Sequence, residues 1–146
     1  MHRLVSDLLH CSLALSPPAQ AVVRTIALGN GTFVSSTAVA RSLGLKDRYA
    51  LDRLLHSEGL PTYKQLSGWI RVLGWVLDWE TDRVALSSSA LRSGKNAAIY
   101  GRTVRRVTGL SWSEVRDRGS NWVLLELVRR CPKAYPARST GASLAC

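Results

Sequence analysis

Apolar residues recur at helical intervals along most of this chain. After Pro17-Pro18, the run "AQAVVRTIALG" (19–29) puts Val22, Val23, Ile26 and Ala27 on one face and is stopped by Gly29. "NGTFVSS" then reads as a turn, and Ser36 as the cap of a short helix, "TAVARSLGL", which stops at Gly44. A further helix over about 47–58 turns Leu51, Leu54 and Leu55 inward and ends at Gly59. Thr62 and Gln65 have the spacing of a capping box, in which each side chain satisfies the other's backbone N–H. They predict the start of the longest helix, about 62–79, with Leu66, Trp69, Ile70, Leu73, Val76 and Leu77 as its packing stripe. The tryptophans Trp69, Trp75 and Trp79 fit that stripe better than a ligand-binding aromatic box.

Beyond Thr81-Asp82 the pattern restarts. "RVALSSSALRS" (83–93) is a weak short helix, Ser93-Gly94 a turn with either residue at the turn position, and "NAAIYGRTVRRVT" (96–108) a longer basic helix ended by Gly109. "SWSEVRDR" follows as a short helix capped by Ser111 or Ser113, and "NWVLLELVRRC" as a last amphipathic helix ended by Pro132. The remaining tail is small, polar and expected to fray. No stretch alternates as a strand would, so the expected class is all-α.

Charge changes the picture from a bare helical bundle to one with a polyanionic partner. The formal net charge is +10 in 146 residues, and it is concentrated in the second part of the chain: residues 82–146 hold twelve Lys/Arg against four Asp/Glu, residues 1–81 eight against six. Hydrophobic residues make up 46% of the chain, enough for a buried core. No uninterrupted apolar segment is long enough to span a membrane, and Asp7 and His10 break the N-terminal apolar stretch too early for a secretion signal. Cys11, Cys131 and Cys146 form no C-x-x-C pair and stand at no metal-ligand spacing with His2, His10 or His56, so reduced cysteines, no metal and no cofactor are expected. "SGKNAA" (93–98) lacks the earlier glycine and the Ser/Thr of a phosphate loop, and no nucleophile–base or paired-carboxylate constellation stands out; an enzyme is not expected.

The two halves repeat. A short helix, a tight turn and a second helix ending in Gly59-Leu60 recur fifty residues later, ending in Gly109-Leu110, with Arg102 as the counterpart of Arg53. This is the order of a helix-turn-helix unit, whose second helix enters the major groove. Two units, about 34–60 and 83–110, joined by the helix at about 62–79, make a bipartite reader for two groove faces ~34 Å apart.

At these residues the chain resembles the AraC/XylS-type DNA-binding domain. The resemblance covers roughly 20–118, between an N-terminal extension (1–19) and a C-terminal helix with its tail (119–146). It is carried by "VARSLGL…LDRLLHSEGLP" with Ala40, Gly44, Leu51, Arg53 and Leu55, by "GWIRVLGWVL", and most specifically by "YGRTVRRVTGLSWSEVR" from Tyr100 to Arg116. Trp112 stands where the family usually has proline, Ser93-Gly94 replaces a Gly-aromatic turn, and Ser88, Ser89 and Arg92 are polar where the short helix should pack. With Gly101 inside the recognition helix, at a cost of roughly 1 kcal/mol against Ala, these departures predict a second unit that leans on the bridging helix and on the Trp122 helix. The resemblance implies a small bacterial transcription regulator, cytoplasmic and nucleoid-associated, that binds double-stranded DNA without catalysis. A partner from the transcription machinery or another protein is left open.

On the first recognition helix Tyr49, Asp52, Arg53 and His56 share an exposed face, flanked by Lys46 and Arg48. Arg48, Tyr49, Asp52 and Arg53 are candidates for base contact. Arg53 suits bidentate recognition of guanine, worth ~1–3 kcal/mol of discrimination, with a surface salt bridge as its alternative; Asp52 would accept from cytosine or restrain Arg53, and Tyr49 would read or pack. On the second, Asn96 and Arg102 are the base-contact candidates, Asn96 also being a candidate N-cap. Lys46, Lys95, Arg105, Arg106 and Arg116 are the candidates for the DNA backbone, although Arg105 or Arg106 would also suit the helix C-terminus, and Arg116 and Arg118 would also pair with Glu114 and Asp117. The competing expectations are a degenerate helix-turn-helix that docks a protein without specific DNA binding, and a nonspecific nucleic-acid coat.

Overall fold

The structure, a computed structural model, describes residues 2–28 and 35–131, and the regular elements among them are all α-helices. They are α1 (His2–Ser12), α2 (Pro17–Leu28), α3 (Ser36–Ser42), α4 (Arg48–Ser57), α5 (Tyr63–Asp82), α6 (Leu86–Arg92), α7 (Ala97–Thr108), α8 (Trp112–Arg118) and α9 (Ser120–Arg129). The expected turn through Asn30-Gly31-Thr32 and the tail after Pro132 lie outside the described residues.

Local chemistry accounts for most boundaries. Pro17 occupies the first position of α2, where a missing N–H costs nothing. Ser35, one residue before the expected Ser36, caps α3: its hydroxyl accepts from Ala38 N at 3.1 Å. Asp47 does the same for α4, accepting from Ala50 N at 2.8 Å. The Thr62–Gln65 capping box opens α5 as expected. The far end of α5 runs three residues past the expected Trp79, and Arg83 closes it in the left-handed region at φ 54°. Ser111, not Ser113, caps α8, with Glu114 returning a bond to Ser111 N at 2.7 Å to complete a second capping box. That bonding to Ser111 holds the Glu114 carboxyl below its ordinary pKa.

The stretch 1–19, for which the pattern predicts no element, contains α1. Val5 and Leu9 of α1 and Leu13 just after it are buried, the four-residue spacing of one helical face, and α1 packs on α2 and α5. Helix α5 is the axis of the fold, in contact with α1, α2, α4, α6, α7, α8 and α9. Its residues from Leu66 to Leu73 are all buried, which explains a composition hydrophobic nearly all round. Ser88 and Arg92 do not disturb the packing of α6, because Leu86 and Ala90, four apart, face the core while these two face out and Ser89 is half-buried. Cys131 is a free thiol buried at the end of α9. Cys11 is not free, a departure from the expectation of reduced cysteines throughout.

Candidate nucleic-acid interface

Two turns of the same construction lie fifty residues apart. After α3, Gly44 N donates to Arg41 O at 3.1 Å and Leu45 N to Ala40 O at 2.9 Å; after α6, Gly94 N donates to Leu91 O at 3.0 Å and Lys95 N to Ala90 O at 2.9 Å. Each pair is the double bond of a Schellman motif, which needs a residue in the left-handed region, and Gly44 (φ 71°) and Gly94 (φ 68°) supply it. Gly94 is therefore the turn position. Ser93 beside it plays a different part, with its hydroxyl hydrogen-bonded to that of Tyr100. Each turn leads into a side-chain-capped helix, α4 behind Asp47 and α7 behind Asn96.

On α4, Leu51 and Leu55 are buried while Arg48, Tyr49, Asp52, Arg53 and His56 are exposed, with Lys46 exposed just before the helix. Arg48 is held by its neighbour: its guanidinium donates to Tyr49 Oη at 3.0 Å and lies 4.9 Å from the centre of the ring. The two side chains thus form one exposed cation–aromatic unit. Arg53 makes no ion pair among the described residues, so the salt bridge considered for it is not formed.

On α7, Asn96 is the N-cap: its side-chain oxygen accepts from Ala98 N at 2.8 Å, which leaves its amide N–H groups for any other contact. Tyr100, Thr103 and Val104 are buried against the core. Arg102 and Arg106 lie together on the next face, where they line a groove against α5, while Arg105 is exposed and close enough to favour the charge of Glu114. Lys95 is exposed in the turn. The ion pairs among the described residues are Arg116–Asp117, Arg129–Glu126 and Arg130–Glu126, all on α8 and α9 and their ends; none engages a cation of α4 or α7.

Arg116 is half-buried and held by its neighbours. Its guanidinium sits 5.0 Å from the Trp79 ring centre and 3.4 Å from the Asp117 carboxylate, with Arg83 5.5 Å from the same ring. Arg118 lies 5.0 Å from the ring centre of Trp122. These contacts clasp α8 to α5 and α9.

The groove holds residues that the sequence pattern does not single out. It is about 530 Å3 and brings Lys64 and Arg71 of α5 to Arg102 and Arg106 of α7, with Ser35 at its edge. Arg71 is buried, with only 8% of its surface exposed. One signal points to it: Arg71 is a lone charge inside "GWIRVLGWVL", and a full charge in an otherwise apolar run marks a special environment.

No group of three or more His, Cys, Asp or Glu side chains suited to a metal occurs among the described residues, and no helix there is long and apolar enough to cross a membrane. No protein-family model, curated protein or solved structure matches the chain.

Proposed function

We propose that this chain is a sequence-selective double-stranded-DNA-binding protein, a small transcription regulator of the AraC type acting in the cytoplasm at the nucleoid. In this reading α3–α4 and α6–α7 are the two helix-turn-helix units and α5 bridges them. The observation that carries it is the pair of matching Schellman turns at Gly44 and Gly94, each followed by a capped helix with an exposed arginine, Arg53 or Arg102, that no carboxylate among the described residues holds.

An arginine in that state has its planar donors available for guanine O6 and N7. The Arg48–Tyr49 unit adds a preformed contact beside Arg53, and Lys46, Lys95 and Arg105 supply phosphate neutralisation around the two helices. Arg106 and Arg116, the latter clasped against Trp79, are the further candidates for backbone contact. If six phosphates are neutralised, the logarithm of affinity falls with the logarithm of salt concentration at a slope of about −5. Titrating a labelled duplex between low and physiological salt reads that slope; a slope near zero contradicts the proposal.

A second reading, a helix-turn-helix used for protein docking, is favoured by one observation. Leu91 on α6 is 76% exposed, a large apolar side chain beside the second turn. It predicts a folded protein with no duplex preference.

A further inference from the structure

Helices α1 and α2 and the connection between them line a cavity of about 370 Å3 that shares no residue with the proposed DNA contacts. Its size falls within the ~300–1,000 Å3 of small-molecule sites. The residues that line it all belong to the described stretch 2–28.

Short side chains leave the space. Ser6 stands on the α1 side, and Ala21 and Thr25, four apart on one face, on the α2 side. The wall at Leu15 is held in place by bonds of its own. Gln20 Nε2 donates to Leu15 O at 3.0 Å, and Ser16 N donates to the Glu58 carboxylate at 3.3 Å. A ligand therefore meets a wall already formed, with little ordering to offset its binding.

Asp7 from α1 and Arg24 from α2 bring opposite charges to this one cavity, yet no ion pair among the described residues joins them or engages either. Carboxylates elsewhere have structural work. Asp47 and Glu114 hold helix N-termini, Glu80 holds Ser120, and Glu126 holds two arginines. With His10 neutral, Asp7 and Arg24 give the cavity two poles and no net charge. A simple anion or cation gains at one pole and loses at the other, whereas a zwitterion gains at both. The Arg24 guanidinium offers the parallel N–H pair that a carboxylate takes, and the Asp7 carboxylate accepts from an ammonium. The Ser6 hydroxyl, the Gln20 amide oxygen and the His10 imidazole remain for a polar side chain. Thr25 Oγ1 donates to Ala21 O at 2.8 Å, so its hydroxyl is left as an acceptor.

We propose that the cavity between α1 and α2 binds a free α-amino acid, its carboxylate on Arg24 and its ammonium on Asp7. The site does not rest on base reading by α4 or α7.

The test uses the full chain and follows its melting temperature with each of the standard amino acids in turn. A ligand that binds only the folded state raises that temperature, by about 3–6 °C at tenfold above its Kd for a chain of this size. The expected result is a saturating rise with at least one amino acid, absent with its N-acetyl and its carboxamide derivatives. Asp7→Asn and Arg24→Gln should each weaken that affinity about tenfold or more. Both side chains are exposed, so the unliganded melting temperatures should stay near the parent's. The exposed pair Asp82→Asn/Arg92→Gln lies outside the cavity and should bind as the parent does. No saturating rise with any amino acid overturns the proposal. So does a rise that is linear in concentration or equal in the two cavity variants, because exclusion of a solute from the protein surface has that effect without a site. Binding that survives N-acetylation overturns it as well, since Asp7 then meets no ammonium. Amino-acid binding without any duplex preference keeps this inference and removes the DNA reading.

Discussion

Trp75 of α5 and Tyr100 of α7 are stacked, with ring centres 4.4 Å apart and planes inclined by 21°. The Tyr100 hydroxyl reaches on to Ser93, which sits beside Gly94 in the turn before α7. One side chain therefore joins the central helix, the second turn and the helix that follows it. The Tyr100→Phe variant keeps the stacked ring but loses the hydroxyl and its bond to Ser93, and should cost about 1 kcal/mol. Tyr100→Ala also loses the stack and leaves a cavity, at about 3–5 kcal/mol. Urea denaturation of both variants checks the order; equal costs would mean the stack contributes nothing.

Helices α5 and α7 meet closely at Gly68. A Cβ placed there would stand 2.7 Å from a Val107 methyl, inside van der Waals contact. Gly68→Ala should therefore destabilise by about 1–3 kcal/mol, and Val107→Ala should relieve most of that loss in the double variant. Additive losses in the cycle would contradict the close approach.

Gly101 is the opposite case. It lies in α7 with open space around a built Cβ. Gly101→Ala should stabilise the fold by about 1 kcal/mol through helix propensity alone. A loss of stability on denaturation would show that the position carries a contact absent from this account.

Much of the helical pattern is legible in the sequence because its signals are local. Asp47, Asn96 and the Thr62–Gln65 pair cap their own helices, and Gly44 and Gly94 turn the chain through bonds spanning only a few residues. Helix ends are ambiguous where neighbouring residues have equal capping power, as with Ser35 beside Ser36 and Ser111 near Ser113. What stays hidden acts across the chain. Helix α9 starts at Gly119 without a capping side chain of its own; Glu80, forty residues earlier, accepts from Ser120 N at 2.8 Å and from its hydroxyl at 2.6 Å. The groove is hidden for the same reason, since Lys64 and Arg71 meet Arg102 and Arg106 only once α5 and α7 pack. Helix α1 is different. Its apolar spacing is visible in "LVSDLLHCSL", but that stretch also has the outline of a targeting segment, and only packing against α2 and α5 shows it as a core helix.

Cys131 provides a probe of α9. Burial pushes its thiol pKa up to about 11, partly opposed by Arg130, and its Sγ donates to Leu127 O at 3.3 Å. Only about one thiol in a thousand is ionised at pH 8, so alkylation should be negligible in the folded chain. The unfolded thiol releases its proton near the ordinary value of 9.0, so the preference for the neutral form lowers stability as pH rises from there to about 11. Site-resolved mass spectrometry after iodoacetamide treatment reads this. Modification in native buffer as fast as in urea would mean that α9 does not stay docked.

In the proposed function α4 and α7 each read one half of a DNA site. The measurement that tests this most directly is selection of preferred sequences from a random duplex pool at ~150 mM salt, with Arg53→Ala and Arg102→Ala run beside the parent. The expected result is an enriched motif in two halves, one relaxed by each variant, with ~1–3 kcal/mol of discrimination lost at the affected position. A folded parent that enriches no motif would contradict it.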